Sequence, residues 1–144
     1  MKVKQIVKIS LVLVWMIIIF IFSNEPATKS TKLSDSFIKR TISRLINDDS
    51  VDTIKKLTKP VRKCAHFTIY LILGLLVLNC FNLLDKKTII IAIFICFSYS
   101  ISDEIHQLFV KGRSCEILDV VIDTLGSTLG IFINKIIRRN KFEK

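Results

Sequence analysis

Four long apolar runs divide the chain, and each has about the length that a helix needs to cross a membrane. The first two, residues 6–23 and 65–84, are apolar almost throughout. A helix rises about 1.5 Å per residue, so about 20 residues cross a hydrocarbon core of about 30 Å. The pattern predicts an all-α integral membrane bundle, a single domain over residues 1–144, in which these two runs are the first spans.

The third and fourth runs reach spanning length only if ionisable residues are counted. Residues 88–108 are apolar as far as Ile101 and then read SDEIHQL. Residues 117–137 include Asp119 and Asp123. Charged side chains at such depth normally face a bundle interior or a wet cavity that holds partners for them. We therefore predict four spans, of which the last two carry acidic groups that face inward.

Helical periodicity places the polar residues of three spans on one face of each helix. The links at residues 85–87 and 110–115 are short, so consecutive spans are expected to be antiparallel neighbours. The start of the second span, the end of the third and the start of the fourth then lie at the same side of the membrane, where we predict a shared polar pocket. Its candidate residues are Arg62, Lys63, His66, Tyr70, Asp103, Glu104, His106, Gln107, Arg113, Asp119 and Asp123.

The loop at residues 24–60 contains a further helical pattern. After Ser34, a candidate N-cap, apolar residues recur at helical spacing, which predicts a short amphipathic helix on the membrane plane. A second short helix is predicted from Val51, with an interruption at Pro60. A solvated basic loop fits the same stretch. The apolar residues of the first pattern are Ile38, Ile42, Leu45 and Ile46.

Composition agrees with a membrane protein and excludes some functions. The 144 residues are 51% hydrophobic with a net charge of +10, and the mean hydropathy is +0.50. Such a chain is too apolar and too basic for an ordinary soluble domain. The basic residues lie on both sides of the predicted bundle without interleaved aromatic residues, so we expect no nucleic-acid partner. No cofactor is predicted, and membrane lipids are the expected partners.

The orientation in the membrane depends on the basic residues. Ten Lys and Arg lie on the side of both termini and twelve on the other side. The count is nearly balanced, but the basic segments at the two termini directly flank spans. The positive-inside rule then favours cytoplasmic termini and an external pocket.

Four segments together resemble the VanZ-like family of bacterial membrane proteins. They are FSNEP, RKCAHFTIYLILG, SDEIHQLFVKGRS and DVVIDTLGSTLG, and the resemblance extends from Phe22 to Gly130. The chain departs from the family at Asn24-Glu25, where a more neutral pair is usual, and at Lys111, where proline is common. Apart from Tyr70, the candidate pocket residues are among the signature polar residues of the family.

The resemblance implies a small protein of the cell membrane with four or five spans. The family is named for an accessory component of a glycopeptide-resistance cluster, which lowers susceptibility to teicoplanin, a lipid-tailed glycopeptide, and hardly affects vancomycin. On this basis we expect a protein that modifies how a Gram-positive cell envelope interacts with lipid-tailed glycopeptides. A lipid-linked cell-wall precursor or the lipoglycopeptide itself would be the specific partner.

The residue types leave the chemistry of the pocket open. Asp119 and Asp123 can pair with basic residues and simply neutralise the bundle. Arg62, Lys63 and Arg113 can instead bind a phosphate or a carboxylate. The histidines and carboxylates are also suitable as metal ligands or as general acids and bases.

The functional alternatives come from different classes. No HExxH or GxSxG motif occurs in the sequence, which favours a protein that is not an enzyme. The alternatives are a membrane enzyme or carrier that acts on a lipid-linked envelope intermediate, and a structural or assembly subunit.

Overall fold

The computed structural model describes residues 2–26, 35–36, 40 and 51–142. It contains four long helices, each long and apolar enough to cross a membrane, and the described residues form no strand. The prediction of an all-α bundle with four spans is confirmed. The amphipathic helix predicted around Ile38–Ile46 lies outside the described residues and stays a prediction. The helices are α1 (Lys2–Ser23), α2 (Val51–Asn79), α3 (Lys86–Gln107) and α4 (Ile117–Phe142).

Helix α2 differs most from its predicted bounds. It begins at Val51, so the stretch predicted as a separate short helix is continuous with the span, and Pro60 lies inside the helix. It ends at Asn79, where tight backbone hydrogen bonds from Cys80 and Phe81 close the last turn. A proline removes one helical hydrogen bond but does not by itself end a helix that packs along its length.

Consecutive helices run antiparallel, so the bundle has two distinct ends. One end holds the start of α1, the turn at residues 80–85, the start of α3 and the end of α4, and we call it the basic end. There Gln5 Nε2 donates a hydrogen bond to the Cys80 carbonyl at 2.7 Å. We call the opposite end, where α3 ends and α4 begins, the acidic end. There Arg113 Nε donates to the Glu25 carbonyl at 2.9 Å.

Helices α2 and α4 form the most extensive contact in the bundle. Their backbones approach so closely that a Cβ at Gly74 would overlap the Ser127 carbonyl oxygen, and one at Gly130 would overlap that of Leu71. Small residues allow this close approach between helices in membranes. The motif Gly126-x-x-x-Gly130 therefore serves packing inside this chain's own bundle. We call this contact the glycine seam.

Helix α1 packs on the outside of the bundle and most of its large side chains are exposed. Two hydrogen bonds across helices hold it: Trp15 Nε1 donates to the Ile69 carbonyl at 2.9 Å, and Tyr99 Oη donates to the Met16 carbonyl at 2.6 Å. Only Ile19 and Ser23 of this helix are buried. The last turn of α1 is therefore the part that meets the acidic end.

Candidate functional site

The acidic end brings together polar residues from α2, α3 and α4. Four carboxylates are nearly completely buried: Asp103 and Glu104 near the end of α3, and Asp119 and Asp123 near the start of α4. Arg62, Lys63 and His66 approach them from α2. Burial of a charge is unfavourable unless it is paired or hydrogen-bonded, so the partners of each carboxylate decide its role.

Asp119 is paired with basic residues on both of its oxygens. Lys63 Nζ lies 3.1 Å from Asp119 Oδ1, and Arg62 Nη2 lies 3.7 Å from Oδ2. Lys63 also contacts the more exposed Glu116, at 3.4 Å. Asp119 thus links α2 to α4 through ion pairs, which is the arrangement expected if its role is to neutralise charge within the bundle.

Asp123 has a weaker set of partners. Ser100 Oγ donates to Asp123 Oδ2 at 3.2 Å. His66 Nδ1 lies 3.6 Å from Asp123 Oδ1, too far for a hydrogen bond. Within the described part of the chain, both Asp123 Oδ1 and His66 Nδ1 lack a hydrogen-bond partner. His66 and Asp123 are therefore neighbours that leave polar atoms unsatisfied.

In the part of the chain that the structure describes, the hydrogen-bond donors to Asp103 and Glu104 are neutral groups. Gln107 Nε2 donates to Glu104 Oε1 at 2.9 Å and to Asp103 Oδ2 at 3.4 Å. The backbone N–H of Glu116 donates to Glu104 Oε2 at 3.0 Å. Among the described residues, no basic side chain lies within 4.0 Å of either carboxylate, and Asp103 Oδ1 has no hydrogen-bond partner.

Two of the predicted pocket residues lie to the sides of this group. Tyr70 is completely buried in the hydrophobic core, where its ring contacts that of Tyr99 with 6.3 Å between centroids. The ring of His106 lies against Phe20 of α1, with 4.4 Å between centroids. His106 thus faces α1, although the helical wheel placed it with the carboxylates.

A tight turn between α3 and α4 positions Arg113. Gly112 has φ 78°, in the left-handed region that favours glycine. Arg113 then reaches the end of α1, where Nη2 donates to the Phe22 carbonyl at 3.2 Å in addition to the bond from Nε to Glu25. Burial lowers the pKa of Arg113 below its ordinary value, and the positive charge of nearby Arg62 lowers this pKa further. An arginine titrates so far above neutral pH that the side chain stays charged.

These elements enclose a cleft of about 220 Å³ between α1, α2, the end of α3 and the turn of Arg113. Its polar lining includes Ser23, Arg62, His66, Asp103 and Arg113. Its apolar lining comes from α1 and α2 and includes Ile19, Phe22 and Ile69. The cleft therefore combines charged groups with an apolar wall.

Sequence reasoning missed the contribution of α1 to this cleft. Ser23 is buried at the end of that helix, and its hydroxyl faces Asp103 without a hydrogen bond to any described residue. The first span has no periodic polar face that could have indicated an inward side. The polar residues that directly follow it, in FSNEP, were the signal that could have been used.

Comparison with known proteins identifies a family that the chain matches. A family model described as VanZ/LLP1 matches residues 8–138, nearly the whole chain and all four helices. No curated protein matches the chain, and no solved structure does.

Proposed function

The chain belongs to the VanZ/LLP1 family, and on this premise we propose that it lowers the susceptibility of a Gram-positive cell to lipid-tailed glycopeptides such as teicoplanin. In this proposal the cleft at the acidic end binds the headgroup of a membrane lipid or of a lipid-linked cell-wall precursor. The lipid tail of the drug then loses the anchorage that it needs at the membrane. The observation that carries the proposal is the combination of charged groups and an apolar wall in one cleft.

The polar lining of the cleft suits an anionic headgroup. Arg113 Nη1 is buried and donates to none of the described residues, and the Ser23 hydroxyl is in the same situation. A buried polar group without a partner costs about 1–3 kcal/mol. Phosphate or carboxylate oxygens would satisfy both donors, and a charged hydrogen bond to a guanidinium is stronger than a neutral one. Arg62 adds a second positive charge to the same lining.

The apolar lining suits the start of an acyl or prenyl chain. Phe22 and Ile69 come from two different helices, so a chain that leaves the cleft between α1 and α2 stays in contact with apolar side chains. A cleft of about 220 Å³ is smaller than the roughly 300–1,000 Å³ that drug-sized ligands occupy. For this reason the proposed ligand is a lipid headgroup and not an entire glycopeptide.

The proposal includes an orientation. With both termini in the cytoplasm, the acidic end faces outward, where glycopeptides meet the envelope. The basic segments that flank α1 and α4 support this orientation through the positive-inside rule.

The first test compares inhibitory concentrations of teicoplanin and vancomycin in a susceptible Gram-positive host that expresses the chain. We expect teicoplanin tolerance to rise and vancomycin tolerance to stay unchanged. Arg113→Gln should abolish the effect, because it removes a half-buried positive charge from the cleft lining. Lys87→Gln is the matched control, since it also removes one positive charge but lies exposed at the basic end. Equal protection against both drugs would contradict a mechanism that depends on the lipid tail.

A second candidate function is a membrane enzyme or carrier that acts on a lipid-linked envelope intermediate. The proximity of His66 to Asp123 favours it, because an imidazole beside a carboxylate can act as a general base. This function predicts an altered lipid or precursor profile, measured by mass spectrometry of membranes from the expressing host. An unchanged profile would exclude it.

A further inference from the structure

Three buried carboxylates behind the cleft lie close enough to share one ligand. Oxygens of Asp103, Glu104 and Asp123 all lie within 4.8 Å of one another, and all three side chains are buried. Two of the carboxylates follow each other on α3, and the third comes from the facing side of α4. We call these residues the carboxylate group.

The charge of this group is not balanced by the described residues. Asp119 takes the contacts of Arg62 and Lys63, and Arg113 Nε and Nη2 donate to backbone carbonyls of α1 and the residues that follow it. The only basic side chain within 4.0 Å of the group is His66, beside Asp123, in the part of the chain that the structure describes. Up to three negative charges thus meet at most one positive charge, which is unfavourable in a membrane interior.

A tyrosine outside the group adds an independent sign of a ligand. Tyr70 is completely buried and interacts electrostatically with Asp103 and Asp123, and its hydroxyl forms no hydrogen bond with the described residues. Asp103 Oδ1 and Asp123 Oδ1 are unsatisfied in the same way. A bound cation, with the water that completes its coordination, would give all of these oxygens partners.

The chemistry of the ligand atoms selects the type of cation. The group offers only oxygens, which hard divalent cations such as Ca²⁺ and Mg²⁺ prefer, whereas zinc sites usually include sulfur or imidazole nitrogen. Ca²⁺ binds oxygens at about 2.3–2.6 Å, so one ion can reach oxygens that lie up to about 4.8 Å apart. Asp103 also lines the cleft, which provides a path for entry.

We infer that Asp103, Glu104 and Asp123 form a binding site for one hard divalent cation, of the Ca²⁺ or Mg²⁺ type, between α3 and α4. The inference concerns the carboxylates behind the cleft and does not rest on the proposed function in resistance. Gln107 acts as a positioning residue, since it donates to Glu104 and Asp103 and so fixes two of the ligands.

The experiment measures binding of Ca²⁺ and of Mg²⁺ to the full chain in nanodiscs of zwitterionic lipid, by isothermal titration calorimetry. We expect about one ion per chain. Glu104→Gln and Asp123→Asn should each weaken the affinity about tenfold or more, because each removes a charged ligand. Glu116→Gln is the matched control, since Glu116 is a nearby acidic residue that lies outside the group and contacts Lys63. It should bind as the wild type does.

A second measurement guards against variants that fail to fold. Tb³⁺ replaces Ca²⁺ at oxygen sites and emits when a nearby tyrosine is excited, so Tyr70 should sensitise it. Tyr70→Phe keeps all three carboxylates, and we expect a lower Tb³⁺ emission, while Ca²⁺ still displaces the bound Tb³⁺.

Three results of the calorimetry would overturn the inference. They are the absence of saturable binding of either ion, equal binding by wild type and both carboxylate variants, and an equal loss of binding in Glu116→Gln. The ring of Tyr99 lies beside that of Tyr70, so Tb³⁺ emission that is unchanged in a variant with both Tyr70→Phe and Tyr99→Phe would place any bound ion elsewhere and would also overturn it. None of these measurements involves the host or the drug, so a failure here is distinct from a failure of the resistance proposal.

Discussion

The two ends of the bundle differ in how completely their buried polar groups are hydrogen-bonded. At the basic end, side chains satisfy the backbone: Arg138 donates to the carbonyls of Leu78, Phe81 and Asn82, and Gln5 donates to that of Cys80. At the acidic end, buried carboxylates meet few partners, and several polar atoms have none among the described residues. Arg113 donates to backbone carbonyls at the end of α1 in the same manner, so the ends differ in the unsatisfied polar groups that the acidic end retains.

This difference separates stabilising residues from candidate binding residues. A helix end inside a membrane needs partners for its last carbonyls, and a single guanidinium with five donors can supply them. Glu104 accepts the backbone N–H of Glu116 at the start of α4, but nothing in helix formation requires the carboxylate of Asp103. A buried polar group without a hydrogen-bond partner in a folded protein usually has another explanation, such as a catalytic role or a bound ion. We therefore expect substitutions at the two ends to affect different properties.

The largest effect on stability is expected at the basic end. Arg138→Gln removes the charge and most of the donors that hold the turn after α2, so the free energy of unfolding should fall by about 2–3 kcal/mol. Thermal unfolding in detergent measures this. Lys87→Gln, an exposed control at the same end, should change little. Teicoplanin tolerance per folded molecule should be unchanged, and a specific loss of tolerance in Arg138→Gln would contradict the comparison.

Within the acidic end, substitutions of two carboxylates should differ in their effect on stability, and both effects should be smaller than that of Arg138→Gln. Asp119→Asn breaks contacts to Arg62 and Lys63, whose side chains are 28% and 30% exposed and stay in contact with water, so the free energy of unfolding should fall by only about 1 kcal/mol. Asp103→Asn removes a buried charge without an ion-pair partner among the described residues. It should leave stability equal or raise it when a chelator is present. Unfolding temperatures of both variants, measured side by side, check this. Equal destabilisation would mean that Asp103 is as structural as Asp119.

The smallest effect concerns Asp85, the N-cap of α3 at the basic end. Hydrogen bonds from the side chain and the backbone N–H of Thr88 lower the pKa of Asp85 below its ordinary value. The ionised cap therefore stabilises the fold above the unfolded pKa of about 3.9, and this contribution is lost as the pH falls through the folded pKa. Asp85→Asn keeps a capping side chain and should flatten the acid side of the unfolding profile. An identical profile between about pH 2 and 6 would contradict this.

The sequence predicts the helices better than their contacts. Apolar length was sufficient for four spans, and helical spacing with short links placed polar residues of α2, α3 and α4 at one end. It could not predict that Lys63 pairs with Asp119 while Asp103 has no basic partner within 4.0 Å among the described residues, because that depends on the rotation of each helix. Nor could it predict the position of His106 against Phe20. The binding roles of these residues stay predictions.

The glycine seam also has a consequence for how the protein is made. Helix α4 carries Asp119 and Asp123 near its start, and an acidic residue opposes the insertion of a span, by about 2.5–3.5 kcal/mol at the centre and by less toward the ends. Its partner α2 supplies both the close backbone contact at Gly74 and the cations that face Asp119. Biogenesis should therefore follow an order in which α4 is inserted stably only after α2 is in the bilayer, so that insertion of a later span depends on an earlier one.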